Sequence, residues 1–212
     1  MIIENAIKYV KQIFADDCSG HDYRHTMRVY RLAMQIAEQE NADMLIVQLA
    51  ALLHDVDDVK LSLETHKIKK NAVDFMRSNG VDDKIKDSVR RIIDEVSFAG
   101  TGSVVPSTIE GKCVQDADRV DAMGAIGIAR AFAYGGSKGR KIYDRDIKPL
   151  PNMNKEEYRQ NKNSTSINHF YEKLLLLKDM MNTETARKMA EHRQAVMEEY
   201  LEEFVAEWEG ER

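Results

Sequence analysis

Apolar residues recur every three or four positions along most of the chain, and charged residues separate them. This spacing matches the turn of an amphipathic α-helix, and no segment shows the strict alternation typical of a strand. The pattern therefore predicts an all-α fold. It predicts helices at residues 2–14, 21–40, 42–55, 62–79, 82–97, 109–134, 166–181 and 184–208.

The predicted helix 42–55 differs from the others because it has no polar face. Residues 44–53 are apolar apart from Gln48, which is the pattern of a helix buried on all sides. His54 and Asp55 follow directly. Burial of an imidazole beside a carboxylate costs free energy unless something satisfies both groups, and a bound cation would do so. The alternative is that the pair only ends the helix, where both residue types are favourable.

Two further predicted helices carry side chains of the metal-ligand type. On a helical projection, His25 lies on the apolar side of the second helix. In the sixth helix, Asp118 and Asp121 share a face of small apolar residues, whereas Asp116 projects to nearly the opposite side. A single inward histidine is usually a hydrogen-bonded core residue, but three helices that each offer such a side chain favour a metal site.

The order His25, His54-Asp55, Asp118 resembles the signature of the HD-domain metal-dependent phosphohydrolases. The segments GHDYRHTMRVYRLA and LLHDVDD are similar to a small stand-alone bacterial branch of that family, which includes nucleoside triphosphate pyrophosphohydrolases. The resemblance is strongest over residues of about 18–134. It implies a helical fold and a metal ion held by these four residues, and it is less specific for the substrate.

Residues near the proposed ligands are further candidates. Asp58 lies three positions after Asp55, and the matching position in some relatives is a catalytic acid that can orient or deprotonate the attacking water. His21, Lys60 and Arg119 are candidate substrate contacts. Each has a simpler alternative, namely a surface histidine, an exposed lysine and a salt bridge within the acidic cluster.

The ligand set indicates the kind of metal. Two imidazoles and two carboxylates suit an octahedral ion such as manganese, magnesium, iron or cobalt better than a thiolate-bound zinc ion, and we favour manganese. Between Asp55 and Asp118 the only histidine is His66, whereas dinuclear relatives insert several there. We therefore expect one divalent ion.

A long segment, residues 134–165, lacks the helical pattern. It contains Gly135 and Gly139 next to Arg140 and Lys141. An irregular segment of this length in a compact domain is usually functional or mobile, and glycines beside cationic side chains suit a loop that closes on phosphate. We consider it a candidate lid, with the two cationic residues as candidate substrate contacts. A solvated basic loop is the alternative.

The 212 residues are predicted to form one domain, 1–212, with the HD core at about 18–134, the loop at 134–165 and C-terminal helices at 166–208. Apolar positions form a stripe along the last helix. This stripe packs either on the core or on a second subunit, so a homodimer is one interpretation.

Composition narrows the possible partners and location. Hydrophobic residues make up 43% of the chain and charged residues 32%, as in ordinary globular proteins, and the net charge of -5 argues against a nucleic acid polymer as partner. Glu4 and Lys8 interrupt the N-terminal apolar pattern, and no window has the length of a membrane span. We expect a cytoplasmic protein without membrane contact. Cys18 and Cys113 are too few for a disulfide framework.

Together these features predict a mononuclear, metal-dependent phosphohydrolase that acts on a small nucleotide. The resemblance favours pyrophosphohydrolysis, in which a nucleoside or deoxynucleoside triphosphate yields a monophosphate and pyrophosphate. A deoxynucleoside 5'-monophosphatase is the alternative enzyme. A metal- and nucleotide-binding sensor without turnover is the non-enzymatic alternative, and an oxygenase would need a second metal site for which the histidines are missing.

Overall fold

The computed structural model describes residues 1–15, 22–58, 65, 68–96, 103–151, 153, 156–157, 161 and 164–212. These residues form no strand, so the all-α prediction is confirmed. The α-helices are α1 (Ile2–Ile13), α2 (Tyr23–Glu40), α3 (Met44–Leu53), α4 (Lys70–Ser78), α5 (Asp83–Val96), α6 (Ile109–Asp121), α7 (Gly124–Ser137), α8 (Asn168–Glu172) and α9 (Glu184–Glu209). None of the described helices is long and apolar enough to cross a membrane.

The described chain divides into two compact units, and the division falls within α6. The first unit contains α1 to α5 and the part of α6 that ends at Asp118. The second unit continues from Arg119 and contains α7 to α9. The proposed metal ligands all belong to the first unit.

Helix α3 is the core of the first unit and contacts α1, α2 and α5. Val47 and the five residues Leu49 to Leu53 are completely buried, so the C-terminal half of this helix is buried on all sides as predicted, whereas residues 44–46 and Gln48 are half-buried. Asp43 begins the helix, since its carboxylate accepts hydrogen bonds from the N–H groups of Leu45 and Ile46 at 2.9 and 3.2 Å. Full burial of each leucine side chain contributes about 1.5–3 kcal/mol, so α3 supplies much of the stability of this unit.

A buried amide joins α6 to α5 in the first unit. The side chain of Gln115 is fully buried and donates hydrogen bonds to the carbonyl oxygens of Glu95 and Val104, at 3.0 and 2.9 Å. Ser107 adds a bond from its N–H to the Glu95 carboxylate at 3.1 Å. These bonds satisfy polar groups that burial would otherwise leave without partners, and they fix α6 against α5.

The prediction of one continuous helix over residues 109–134 is wrong. The chain leaves α6 after Asp121, Met123 is extended with φ -111° and ψ 169°, and Gly124 begins α7 with φ +68°. Side chains strongly disfavour this left-handed conformation, so glycine is needed at this position. The apolar period continues through the break, and for this reason the period alone does not reveal it.

Arginine side chains stabilise the end of α6 within the second unit. A guanidinium nitrogen of Arg193 donates to the carbonyl oxygen of Val120 at 2.6 Å. Arg130 pairs with the buried carboxylate of Asp121 at 2.7 Å. Carbonyl groups at a helix end lack helical partners, and cationic side chains satisfy them well.

The predicted helix 166–181 is also shorter in the structure. Helix α8 ends at Glu172, and two 3₁₀ turns, Leu174–Leu176 and Lys178–Met180, follow it. The C-terminal helix agrees with its prediction, and Met197 and Leu201 of its apolar stripe are buried. Aromatic rings from this helix and its neighbours form a cluster with centroid separations of 5.3–6.5 Å, made of Phe132, Tyr143, Phe170, Tyr200, Phe204 and Trp208.

One buried carboxylate organises much of the predicted irregular segment 134–165. Glu172 accepts hydrogen bonds from the N–H of Leu150 at 3.2 Å, the amide of Asn161 at 3.2 Å and the hydroxyl of Ser164 at 2.7 Å. Its burial strengthens these charge-assisted bonds. The described part of the segment is thus anchored to α8, and its closure over a substrate stays a prediction.

Alanine at position 124 tests the cause of the helix break. We expect Gly124→Ala to lower the free energy of unfolding by about 1–2 kcal/mol because of its left-handed backbone, and its Cβ would also lie 3.0 Å from Cγ of Arg193. Gly139→Ala has φ +64° but no atom within 4 Å, so it isolates the backbone term. Gly136→Ala has neither feature and should be neutral or slightly stabilising. Urea unfolding of the three variants measures the difference, and equal losses at 124 and 136 would contradict the interpretation.

Candidate metal centre

His25 lies in the first turn of α2 and its side chain is completely buried. Asp22 caps this helix, since its carboxylate accepts a hydrogen bond from the backbone N–H of His25 at 2.7 Å. The cap fixes the backbone of His25 at the start of the helix. The predicted inward orientation of this histidine is therefore confirmed.

His54 and Asp55 follow the last residue of α3 and are both buried. Nδ1 of His54 lies 2.8 Å from the carbonyl oxygen of Ala51. In the neutral ring this contact places the proton on Nδ1 and leaves the lone pair of Nε2 available to a metal. Nε2 is buried and faces the carboxylate of Asp55 inside the cluster.

The ligand-type atoms of the first unit lie close together. Oδ2 of Asp55 is 3.1 Å from Nε2 of His54 and 3.4 Å from Nε2 of His25. Oδ1 of Asp118 is 3.4 Å from the same His25 nitrogen. An ion with bonds of about 2.1 Å places neighbouring octahedral ligands about 3 Å apart. His25, His54 and Asp55 therefore form a group that could hold such an ion, and Asp118 borders this group through its contact with His25.

The electrostatics of the cluster also favour a cation. Burial lowers the pKa of His54, but the negative charges of Asp55 and Asp118 outweigh burial and raise this pKa to about 9. The same negative charge that holds a proton on the ring attracts a divalent ion in its place. The side chain of Asp118 is 28% exposed, so solvent reaches the edge of the cluster at this carboxylate.

Asp58 keeps the position that the sequence predicted relative to Asp55. Helix α3 ends at Leu53, before the predicted residue 55. A turn nevertheless continues, because the N–H of Asp58 donates to the carbonyl of Asp55 at 3.0 Å. Asp58 is partly buried, one turn beyond a proposed ligand. The catalytic role stays a prediction.

The predicted substrate contacts differ in whether the structure describes them and in the contacts that they make. His21 and Lys60 lie outside the described residues. Arg119 belongs to the second unit, where it is buried and donates a hydrogen bond to the carbonyl of Met180. Lys141 is exposed and pairs with Asp144 at 2.7 Å. These contacts give both cationic residues a structural role within their own unit, and substrate binding by them stays a prediction.

Arg140 lies in a group of basic residues of the second unit. Its guanidinium carbon is 5.7 Å from the centre of the Tyr134 ring. Burial, followed by the positive charges of Lys173 and Arg140, lowers the pKa of His169 to about 3. His169 is therefore neutral near pH 7, and its protonation in the folded protein is unfavourable.

The low pKa of His169 predicts a loss of stability in acid. Because the unfolded histidine titrates near pH 6.5 and the folded one near 3, its contribution is present above pH 6.5 and decreases as the pH falls toward 3. We expect His169→Gln to lose less stability than the wild type between pH 7 and about pH 5. Urea unfolding at both values measures this, with His192→Gln on the exposed face of α9 as control. Parallel behaviour of the wild type and His169→Gln would contradict the prediction.

Asp57 is an important residue that the sequence pattern did not identify. In the sequence it is one more acid at the start of a loop, but in the structure it is 1% exposed. Its two carboxylate oxygens accept hydrogen bonds from the N–H groups of Asn71 and Ala72, at 3.1 and 3.0 Å. The hydrogen bond from the Asn71 N–H to Asp57 spans fourteen residues, and no local sequence motif predicts it. The burial of Asp57 is therefore evident only from the structure.

In the described all-α fold, two buried histidines and a buried aspartate lie together beside a further aspartate. These features define a helical protein with a candidate metal centre. The family model for the HD domain matches residues 22–123. YpgQ from Bacillus subtilis (strain 168) is 41% identical over 198 residues, which cover 92% of this chain and 88% of YpgQ. The chain belongs to the HD-domain family, whose members bind divalent metal ions.

Solved structures extend this relationship over almost the whole chain. A protein from Lactobacillus plantarum has a TM-score of 0.86 and 42% identity, and the match covers 99% of this chain and 97% of that one. An HD-superfamily hydrolase from Bacillus thuringiensis has a TM-score of 0.77 and 44% identity over 98% and 96%. YpgQ in complex with ADP has a TM-score of 0.74 and 39% identity over 94% and 95%. The likeness supports a hydrolase of the HD superfamily.

Proposed function

We propose that this protein is a metal-dependent phosphohydrolase that converts nucleoside or deoxynucleoside triphosphates to monophosphates and pyrophosphate. The observation that carries the proposal is the cluster of imidazole and carboxylate atoms 3.1–3.4 Å apart in the first unit. A nucleotide substrate is supported by the complex of YpgQ with ADP.

In this proposal His25, His54, Asp55 and Asp118 bind one divalent ion, with manganese favoured. Two neutral imidazoles and two ionised carboxylates carry a charge that matches that of a divalent cation. Mixed nitrogen and oxygen ligands suit manganese and its octahedral neighbours. Among the described residues one such group of histidines and acids occurs, which favours a single ion.

The residues of the chain prepare the site for attack by water. When bound, the ion supplies positive charge to a phosphoryl oxygen and makes the attacking water more acidic. Asp58 accepts the proton of that water. The contact between His54 and the Ala51 carbonyl holds the imidazole in the orientation that ligation requires.

The reaction consumes one water molecule at the α-phosphorus. The water oxygen forms a bond to this phosphorus, and the bond from phosphorus to the bridging oxygen of the pyrophosphate breaks. The leaving pyrophosphate keeps the electron pair of that bond. Its developing negative charge is stabilised by cationic groups, which is the usual source of catalysis in phosphoryl transfer.

A product assay tests the proposed reaction. Metal-stripped protein is incubated with manganese and a panel of nucleoside mono-, di- and triphosphates, and released phosphate is separated from released pyrophosphate. We expect pyrophosphate and monophosphate in equal amounts from triphosphates. Phosphate from deoxynucleoside monophosphates would replace the proposal with the monophosphatase, and tight binding without turnover would replace it with the sensor.

Two aspartate variants separate metal binding from proton transfer. Asp118→Ala removes a proposed ligand, so we expect manganese affinity to fall at least tenfold and hydrolysis to be lost. Asp58→Asn keeps the ligand set, so affinity should be unchanged while kcat falls by about 10²–10⁴-fold. Calorimetric titration of manganese and steady-state kinetics measure the two quantities. Retention of both metal and hydrolysis in Asp118→Ala would overturn the scheme.

A further inference from the structure

Residues 54–58, which we call the ligand turn, carry the proposed metal and water contacts after α3 has ended. Helical hydrogen bonding no longer supports this segment. Two local bonds close it: Val56 N–H donates to the carbonyl three residues earlier at 3.3 Å, and Asp58 N–H donates to the Asp55 carbonyl at 3.0 Å. Such short turns fix the local chain but not its place against the rest of the unit.

A reciprocal set of hydrogen bonds joins the ligand turn to the first turn of α4. Asp57 accepts the backbone N–H groups of Asn71 and Ala72 at 3.1 and 3.0 Å. In the opposite direction the side-chain amide of Asn71 donates to the carbonyl of Val56 at 3.0 Å. Three bonds thus connect two segments that are fourteen or fifteen positions apart in the sequence.

Burial makes this connection stiff. Asp57 is 1% exposed and Ala72 is fully buried, so water cannot replace the bonds between them. Hydrogen bonds to a carboxylate are shorter and stronger than those between neutral groups, and the start of a helix favours negative charge. Loss of the carboxylate would leave two backbone N–H groups of α4 without this acceptor.

Helix α1 holds the same point from another side. The hydroxyl of Tyr9 donates to the carbonyl of Asn71 at 3.3 Å, and the Tyr9 ring stacks on Phe75 with centroids 4.7 Å apart. Burial, followed by the negative charge of Asp57, raises the pKa of Tyr9. The start of α4 is therefore a fixed support against which the ligand turn is held.

The cap at the opposite end of α3 shows what is unusual about Asp57. Asp43 also accepts two backbone N–H groups, but both belong to the helix that it precedes. Asp57 instead caps a helix that begins thirteen positions later. A local cap such as Asp43 stabilises only its own helix. The cap by Asp57 also fixes the distance between the ligand turn and α4.

We propose that Asp57 and Asn71 are positioning residues that hold Asp55 and Asp58 in place for the metal site, a role that rests on the function proposed above. They act through the backbone, since Asp57 is two positions from Asp55 and adjacent to Asp58. Metal ligands need support of this kind because small shifts of a ligand weaken coordination.

Manganese binding to the metal-free protein tests the proposal without turnover. In Asp57→Asn an amide replaces one carboxylate oxygen and opposes a backbone N–H, so we expect the Kd for manganese to rise about 10–100-fold. Asn71→Ala removes the bond to Val56 and keeps the backbone of α4, so a smaller rise is expected. The signal of free manganese in electron paramagnetic resonance gives each Kd, and circular dichroism establishes that each variant is folded. If Asp57→Asn does not fold, Asn71→Ala decides the test.

Asp43→Ala is the control because it removes a two-bond cap at the opposite end of α3 from the ligand turn. We expect it to lower the Tm and leave manganese affinity unchanged. A lower Tm with unchanged affinity in Asp57→Asn and Asn71→Ala would show that the connection is merely structural and would overturn the proposal. Wild-type protein that binds manganese without hydrolysis would overturn the proposed function but not this inference. Wild-type protein that binds no manganese would overturn both.

Discussion

The burial of charged and polar groups at the end of an apolar helix is the constraint on which the first unit depends. The C-terminal half of α3 is buried on all sides, so the chain that leaves it carries His54 and Asp55 into the interior. Two carboxylates near these rings raise the pKa of His54 to about 9, so this part of the interior favours a positive charge. A divalent ion satisfies that requirement more completely than one proton, because it binds the lone pairs of several ligands at once.

Three of the four proposed ligands are held by polar contacts from groups outside the ligand set. Asp22 fixes the backbone of His25, and the Ala51 carbonyl fixes the ring of His54. Gln115 anchors the helix that carries Asp118. These contacts are hydrogen bonds to backbone groups that have no partner within a helix. The bonds that stabilise the fold therefore also set the geometry of the cluster.

The sequence predicted those features that depend on local pattern and missed those that depend on distant partners. The helical period identified the all-α fold, the burial of α3 and the inward side of His25, since each follows from residues within a few turns. The break at Gly124 has a left-handed backbone, and the end of α6 beside it bonds to a distant side chain, that of Arg193. The burial of Asp57 depends on a helix that begins thirteen positions later in the sequence. Periodicity carries no information about such contacts, because the residues that make them follow no common spacing.

Asp57 and Asp58 are adjacent and have the same side chain, but their surroundings give them different roles. Both oxygens of Asp57 accept backbone N–H groups in a site closed to solvent, so this carboxylate is engaged in holding the chain. Asp58 is one position further and only partly buried, where a water molecule can approach it. A proton acceptor must be reachable by the water that it activates, and it must be held still while it acts. In the proposed enzyme Asp57 holds the backbone in place and Asp58 offers the carboxylate that water can reach. Proton transfer to Asp58 therefore depends on the fixed position of Asp57.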